Sequence, residues 1–359
     1  MEDVVSQSER LAAAYGGRRV LVTGNTGFKG AWLGLWLSRL GAEVTGFSDT
    51  IPTRPSHFER LALAYPTIFG DIADAAAVGA AVAEARPEIV FHLAAQPLVR
   101  RSYADPIGTY RTNLLGTLTL FEACRAQGGV RAIVSATTDK VYKNREWDWG
   151  YREIDELGGS DPYSASKSCV ELLTQSYRHS FLADGSILLA SVRAGNVIGG
   201  GDWAEDRLIP DIIRAAYGDN KLEIRSPDST RPWQHVLDPL AGYLMIGEKL
   251  LAGSASAADA WNFGPMSNAR ITVGDIVDSL RQQIPQLEVE HVPESSGRRE
   301  SGLLELDSTK AVTQLGWRPI WEGEMLERSL VWYRAFYEED RLLSDDQLTD
   351  YCRALDRAV

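Results

Sequence analysis

An α/β architecture is predicted for this sequence: a doubly wound parallel sheet carrying helices on both faces. Two observations carry the prediction. From Arg19 onward, short runs rich in Val, Ile, Leu and Phe alternate with longer amphipathic stretches, which is how strands buried on both faces and joined by crossover helices are written. A glycine-rich turn then sits between the first such run and the first amphipathic stretch, the tight strand-to-helix passage that this architecture uses at its opening. Strands are expected at residues 19–23, 43–48, 67–69, 88–93, 131–137, 186–193 and 261–263, with helices between them at 27–40, 75–85, 109–127 and 162–182. Gly41, directly after the first helix, suits a left-handed C-cap, and Asp161 followed by Pro162 suits an N-cap and first helical position.

After Asn196 the rhythm changes. Gly199, Gly200 and Gly201 lead into an expected helix at 207–217, a short strand at 222–225, helices at 236–251 and from Thr272, and a strand at 288–292. The chain therefore divides into an N-terminal extension (1–17) with no strong pattern, expected to pack on the outside, a sheet domain (18–196), and a smaller interleaved lobe (197–359) from which 261–264 returns to the main sheet.

With 359 residues, 44% hydrophobic and 24% charged, the chain is long enough for a large buried core and is neither collagen-like, coiled-coil nor disordered in composition. Its 37 basic and 49 acidic residues leave a formal charge of −12, which argues against nucleic acid as a partner. Three scattered cysteines (Cys124, Cys169, Cys352) form neither a disulfide framework nor a metal-ligand spacing. No apolar run approaches the roughly 20 residues that cross a bilayer, and Met1, Glu2, Asp3 do not open a secretion signal. A cytoplasmic location, with no membrane partner and no metal, is expected.

The turn reads Thr23, Gly24, Asn25, Thr26, Gly27, Phe28, Lys29, Gly30. Glycines permit a tight bend and close approach of a pyrophosphate, whose charge then meets the free amides at the helix start. Lying between the first strand and first helix, the turn predicts a dinucleotide site of Rossmann type. An acidic residue closing the second strand grips an adenosine ribose and favours NAD; Asp49 is the candidate, while the nearby Arg54 would instead welcome a 2′-phosphate. Asp71 and Ile72, after the third strand, are placed to meet the adenine. Leu93, Ala94 and Ala95 end the fourth strand with backbone against which a cofactor can lie.

Tyr163 and Lys167 are four apart on a helix and so share one face. Thr137 and Thr138 close the fifth strand upstream, followed by Asp139, Lys140, Val141 and Tyr142. In these residues the chain resembles the extended short-chain dehydrogenases/reductases and, within them, the nucleotide-sugar 4,6-dehydratases, over residues 19–319. Most relatives carry Thr-Asp-Glu where this chain has Thr138, Asp139, Lys140; the lysine form is associated with members acting on CDP-glucose. The stretch from Asn144 to Glu153, the run Gly158 to Tyr163, and Lys29 where many relatives have isoleucine, resemble the same subgroup. The resemblance implies that Tyr163 exchanges a proton with the substrate C4 hydroxyl, that Lys167 holds the nicotinamide ribose and lowers the tyrosine pKa, that Asp139 is an acid and that Lys140 occupies the base position. A free lysine titrates near pH ~10.4, so Lys140 acts as a base only if burial or positive neighbours depress it, and otherwise stabilises an enolate electrostatically.

It further implies that Asn196 meets the substrate diphosphate or sugar and that Arg231 reaches the nucleotide phosphates. Apart from the resemblance, Arg298 and Arg299, in the glycine-containing loop after Val292, are further candidates for the diphosphate, and the aromatic Trp147 and Trp149 for the border of the sugar pocket. A homodimer through helices 109–127 and 162–182 is expected from the resemblance. A nucleotide-sugar C4 epimerase would share Tyr163 and Lys167 but has no need of Asp139. A non-catalytic NAD-binding sensor would need only the glycine turn.

Overall fold

The computed structural model describes residues 5–218, 221–266, 270–292 and 303–358. The strands are β1 (Arg19–Thr23), β2 (Glu43–Ser48), β3 (Thr67–Phe69), β4 (Ile89–His92), β5 (Ala132–Ala136), β6 (Leu188–Ala194), β7 (Val197–Ile198), β8 (Leu222–Ile224), β9 (Gln234–His235), β10 (Ala260–Phe263) and β11 (Val289–His291). The helices are α1 (Gln7–Tyr15), α2 (Phe28–Arg39), α3 (His57–Leu61), α4 (Ala75–Ala85), α5 (Val99–Ala104), α6 (Pro106–Tyr110), α7 (Gly116–Gln127), α8 (Pro162–Ser180), α9 (Leu208–Tyr217), α10 (Leu237–Leu251), α11 (Val273–Gln283), α12 (Met325–Glu339) and α13 (Ser344–Arg357).

Seven strands form one parallel sheet in the order β10-β6-β5-β4-β1-β2-β3. Strand alternation divides its side chains between two cores: Val20, Val22, Ile89, Phe91 and Val134 enter one cluster, while Leu21, Val90 and Ile133 enter the other. Burial on both faces is what the continuous apolar runs require. Chain direction across the sheet reverses between β1 and β4, so a crevice opens at their carboxyl ends, where ligands of such sheets bind. The pairs β8 with β11 and β7 with β9 stand apart as two small sheets, while β10 joins the main sheet beside β6.

Three differences from the sequence reading have identifiable causes. Residues 7–15 are helical, with a Ser6/Glu9 capping box, and Leu11 and Tyr15 are fully buried; Tyr15 Oη donates to Leu244 O at 2.7 Å. This segment packs into the core because two apolar side chains one turn apart face α10. The expected helix at 109–127 is interrupted by a π-turn at Arg111–Leu115, a feature often found at functional sites. The chain also folds back through α12 and α13, whose Trp332, Tyr333 and Tyr351 are buried. Most of the tryptophans belong to this packing: Trp32, Trp36, Trp261, Trp317, Trp321 and Trp332 are among the largest fully buried side chains.

Asp238, at the start of α10, ties this return to the core. Its Oδ1 accepts from Ile320 N at 2.6 Å and from Tyr351 Oη at 2.9 Å. Burial first, against these hydrogen bonds, pushes its carboxyl up to about 7. An aspartate raised in the native state contributes stability below its unfolded pKa that is lost as pH rises through the folded value. Burial pushes His57, His92 and His235 down to about 3, with Lys167 and Arg328 assisting at the last two respectively. Their contribution is present above an unfolded value of about 6.5 and lost as pH falls through the folded one. Three histidines outweigh one aspartate where the windows overlap, so stability should climb from acid pH to a maximum near neutrality. Asp238→Asn should gain up to about 4 kcal/mol above pH ~7 and nothing below pH ~4. Denaturant melts at several pH values check this; an equal offset at both ends of the range contradicts it.

Candidate active site

The glycine turn is built before any ligand arrives. Gly24 has φ +73°, and a Cβ there would lie 2.7 Å from Ala94 N; one at Gly30 would lie 2.1 Å from Gly24 O. Only glycine lets β1, α2 and the end of β4 approach so closely. Thr26 Oγ1 donates to Thr50 O at 2.7 Å, Asn25 Nδ2 donates to Thr67 Oγ1 at 2.8 Å, and Ser48 Oγ donates to Asn25 Oδ1 at 2.9 Å. These bonds pin the turn to the ends of β2 and β3 and set Asp49 beside it, exposed. Gly27 is the N-cap of α2, and no side chain caps this helix. The first N–H groups, from Phe28, Lys29 and Gly30, therefore point into the crevice unsatisfied by the helix.

Across the crevice, β4 ends at His92 and Leu93, Ala94 and Ala95 follow half-buried. Ala94 N donates to Thr23 Oγ1 at 3.2 Å, which holds this backbone against the turn. Asp71 is fixed by Ala73 N at 2.8 Å and by an ion pair with Arg111, while Ile72 is buried against Gly116. The π-turn places Asn113 where its amide donates to Gln96 O at 3.1 Å and Ser166 Oγ at 2.9 Å. That residue, which sequence reading missed, locks α8 to the loop after β4.

β5 delivers the acid and the base position. Thr138 caps the short turn Asp139–Val141 with its hydroxyl, which also donates to Asp139 Oδ1 at 2.9 Å. Asp139 is 2% exposed, and its Oδ2 has no hydrogen-bond partner. Burial raises its pKa, opposed by Lys140, Thr138, Arg231 and Lys29. Burial outweighs these groups, and a carboxyl shifted toward its acid form is better suited to give a proton away. Lys140 is half-buried beside it.

Tyr163 and Lys167, both buried, sit on the first turns of α8. Lys167 Nζ donates to Ala136 O at 3.1 Å, and burial lowers its pKa to about 8, opposed by Glu171. Burial raises Tyr163 to about 12; Thr138 and Arg207 work in the opposite direction, and Asp139 adds to the rise. The cation set against the phenol is thus Arg207, a residue the sequence reading did not single out. It is held by Asp202 at 3.0 Å. Its position follows from α9 docking beneath the site, which no local motif announces.

Arg231 is 8% exposed and faces Asp139. Asn196 O accepts from Gln234 N at 3.0 Å, and Gly195 abuts Pro232, so the β6–β7 corner and the Arg231 segment form one wall. Lys29 projects its side chain toward the same cluster, its ammonium 5.9 Å from the Tyr243 ring centroid. Burial, with Arg207 and Lys167, pushes it down to about 8 against the pull of Asp139. Trp147 and Trp149 stack at 4.9 Å, and Trp147 packs on Tyr151 at 5.1 Å. Arg298 and Arg299 lie outside the described residues. Among the described residues no group of His, Cys, Asp and Glu could hold a metal ion, and no helix is long and apolar enough to cross a membrane.

A Rossmann-type sheet with a glycine turn at its switch point, and a buried Tyr-x-x-x-Lys helix against a Thr-Asp-Lys strand end, define an extended short-chain dehydrogenase/reductase. Residues 21–329 match the model of the GDP-mannose 4,6 dehydratase family, and the chain belongs to that family. It is 47% identical to a CDP-glucose 4,6-dehydratase of Salmonella typhimurium over 95% of this chain and 98% of that protein. It is 29% identical to a UDP-glucose 4-epimerase of Rhizobium leguminosarum bv. trifolii, over 88% of this chain and 98% of that one. Among solved structures, a dTDP-glucose 4,6-dehydratase of Streptomyces venezuelae with NAD bound superposes with a TM-score of 0.77 at 23% identity, covering 90% of this chain and 100% of the other.

Proposed function

We propose that this protein is a CDP-glucose 4,6-dehydratase that converts CDP-D-glucose to CDP-4-keto-6-deoxy-D-glucose and water with NAD as cofactor. The observation that carries the reading is Asp139: a buried carboxyl with a free oxygen, beside Lys140 and facing Arg231, which an epimerase has no need of. The 47% identity to the Salmonella enzyme supports the choice of nucleotide.

The crevice fits a dinucleotide. The turn whose glycines leave no room for Cβ atoms, together with the uncapped start of α2, suits a pyrophosphate. Gly24, Thr26, Gly27, Phe28, Lys29 and Gly30 would hold it, with Asp49 at the adenosine ribose, Asp71 and Ile72 at the adenine, and Leu93, Ala94 and Ala95 beneath. NAD supplies a reversible hydride acceptor. Tyr163 takes the proton of the C4 hydroxyl as that carbon is oxidised, and Lys167 holds the ribose. The C4 ketone makes the C5 proton acidic; Lys140 removes it or steadies the enolate, while Asp139 protonates the departing C6 hydroxyl. Water leaves, the hydride taken from C4 is returned to C6 and a proton to C5, so that C6 ends as a methyl group with no net redox change. Asn196, Arg231 and, in the segment after β11, Arg298 and Arg299 grip the nucleotide diphosphate, guanidinium groups being suited to phosphate. The part of the chain from residue 197 onward supplies most of this nucleotide-sugar side.

Leu115, directly before α7, is 48% exposed and Leu172 of α8 is 55% exposed; apolar side chains left facing solvent there support a homodimer through α7 and α8. The test of function is incubation with CDP-glucose in heavy water, followed by NMR of the sugar. A new C6 methyl signal with deuterium at C5 is expected. Inversion at C4 with oxygen retained at C6 would make the protein an epimerase.

A further inference from the structure

Four residues beyond Lys167, α8 carries a carboxylate that the reaction does not use. Glu171 is fully buried and so is its ion-pair partner Arg193 of β6, whose Nη2 donates to Oε2 at 2.8 Å. Ser191 Oγ donates to the same oxygen at 2.8 Å, and Thr137 Oγ1 donates to Oε1 at 2.5 Å. Arg193 Nη1 in turn donates to Tyr142 Oη at 2.7 Å and to Glu153 O at 3.2 Å, and Tyr142 Oη donates to Asn262 Oδ1 at 2.7 Å. The ends of this network bracket the catalytic turn: Thr137 lies two residues before Asp139, and Tyr142 two residues after Lys140.

We infer that Glu171 and Arg193 form a positioning pair, which clamps the Thr138, Asp139, Lys140 turn from both sides and supplies the anion that keeps Lys167 charged. Stability alone does not call for such a pair, because a buried ion pair is commonly matched by apolar residues of the same volume. What the pair adds is placement. A catalytic group must be held within fractions of an ångström of its working position, and hydrogen-bonded side chains behind it do the holding.

The charge argument depends on every group facing Lys167. Its own helix contributes Glu171; α2 contributes Lys29, whose positive charge opposes the lysine's; β4 contributes His92, which burial keeps neutral down to about 3; β5 contributes the Ala136 carbonyl. Glu171 is the anion among these. Burial alone would raise its carboxyl, but Arg193, Thr137 and Ser191 outweigh that and hold it below the ordinary carboxylate range. It therefore stays ionised wherever Lys167 titrates.

The inference rests on the dehydratase reading for the roles of Asp139 and Lys140, and its test is separable from that reading. In protein labelled with 13C-lysine, the Lys167 ε-carbon resonance, assigned by its loss in Lys167→Arg, is followed against pH. Glu171→Gln should lower its midpoint by about one unit, roughly a tenfold loss of ammonium at a given pH. Glu171→Gln combined with Arg193→Met, which leaves no unpaired buried charge, should lower it equally. With CDP-glucose, Glu171→Gln should reduce kcat at least tenfold and leave KM unchanged, because the pair touches no substrate, and Glu171→Asp should recover part of the loss. An unmoved lysine midpoint in both variants, or a change in KM alone, overturns the inference. A wild-type protein that makes no methyl sugar defeats the dehydratase reading and leaves the lysine titration to decide this one.

Discussion

Asp139→Asn should oxidise the sugar and then stop. The substitution keeps the side-chain volume and the oxygen that accepts from Thr138 at 2.9 Å, so the turn has no reason to rearrange, and it removes the cost of a buried carboxyl. What is lost is the acidic proton. Burial raises the Asp139 pKa against four opposing groups, which favours the acid form that the proposed step uses, and an amide cannot replace it. General acid catalysis by a placed group is worth about 100-fold to 10,000-fold, and elimination should slow by that amount. In heavy water the product pool should hold a 4-ketohexose with oxygen still at C6 and with deuterium at C5. A methyl signal growing at the wild-type rate would mean that the C6 hydroxyl is protonated by another group, for which Lys140 and Lys29, both acting on Asp139, are candidates.

The parts of this site legible in the sequence are those written in consecutive residues. The turn from Gly24 to Gly30 is visible because backbone sterics admit only glycine where β1, α2 and β4 meet, and that demand leaves a mark at fixed spacing. Tyr163 and Lys167 are visible because a helix turns four residues into one face. Arg207, Asn113 and Glu171 are not. Each reaches the site through an element whose own pattern says only that it is a helix: Arg207 precedes α9, Asn113 sits in a π-turn that a helical period conceals, and Glu171 lies on the stretch of α8 read simply as amphipathic. The missed first helix is a different case. Its Ser6 and Glu9 spell a capping box, but with only two core side chains, Leu11 and Tyr15, the apolar stripe is too short to show a period. Strand positions fared well because β1, β2 and β3 are bounded by residues that cannot continue them. The long return of the chain through α12 and α13, tied to the start of α10 by Asp238, is a tertiary decision, made by aromatic packing rather than by local propensity.

Tyr163→Phe, in contrast to the aspartate variant, should slow the oxidation itself, by about 100-fold to 10,000-fold, so that no ketone of any kind builds up ahead of elimination. The ring remains and the site stays packed, so substrate should bind as before. The pH dependence reveals how the phenol is prepared. Burial holds Tyr163 at about 12, and Arg207 and Thr138 pull it down; each approach of positive charge makes the phenolate easier to form. C4 oxidation should therefore accelerate as pH rises toward the tyrosine's working value. Arg207→Met removes a cation that favours the phenolate, so the tyrosine pKa must go up, and the rising limb of the rate profile should move to higher pH by about one unit. Because Arg207 is itself held by Asp202, Asp202→Asn should loosen the arginine and move the limb in the same direction by less. Single-turnover C4 oxidation measured across pH in the three proteins separates these effects. A limb that stays in place in Arg207→Met would show that the phenol is tuned by Lys167 and the bound nicotinamide alone, and that the arginine beneath it serves α9.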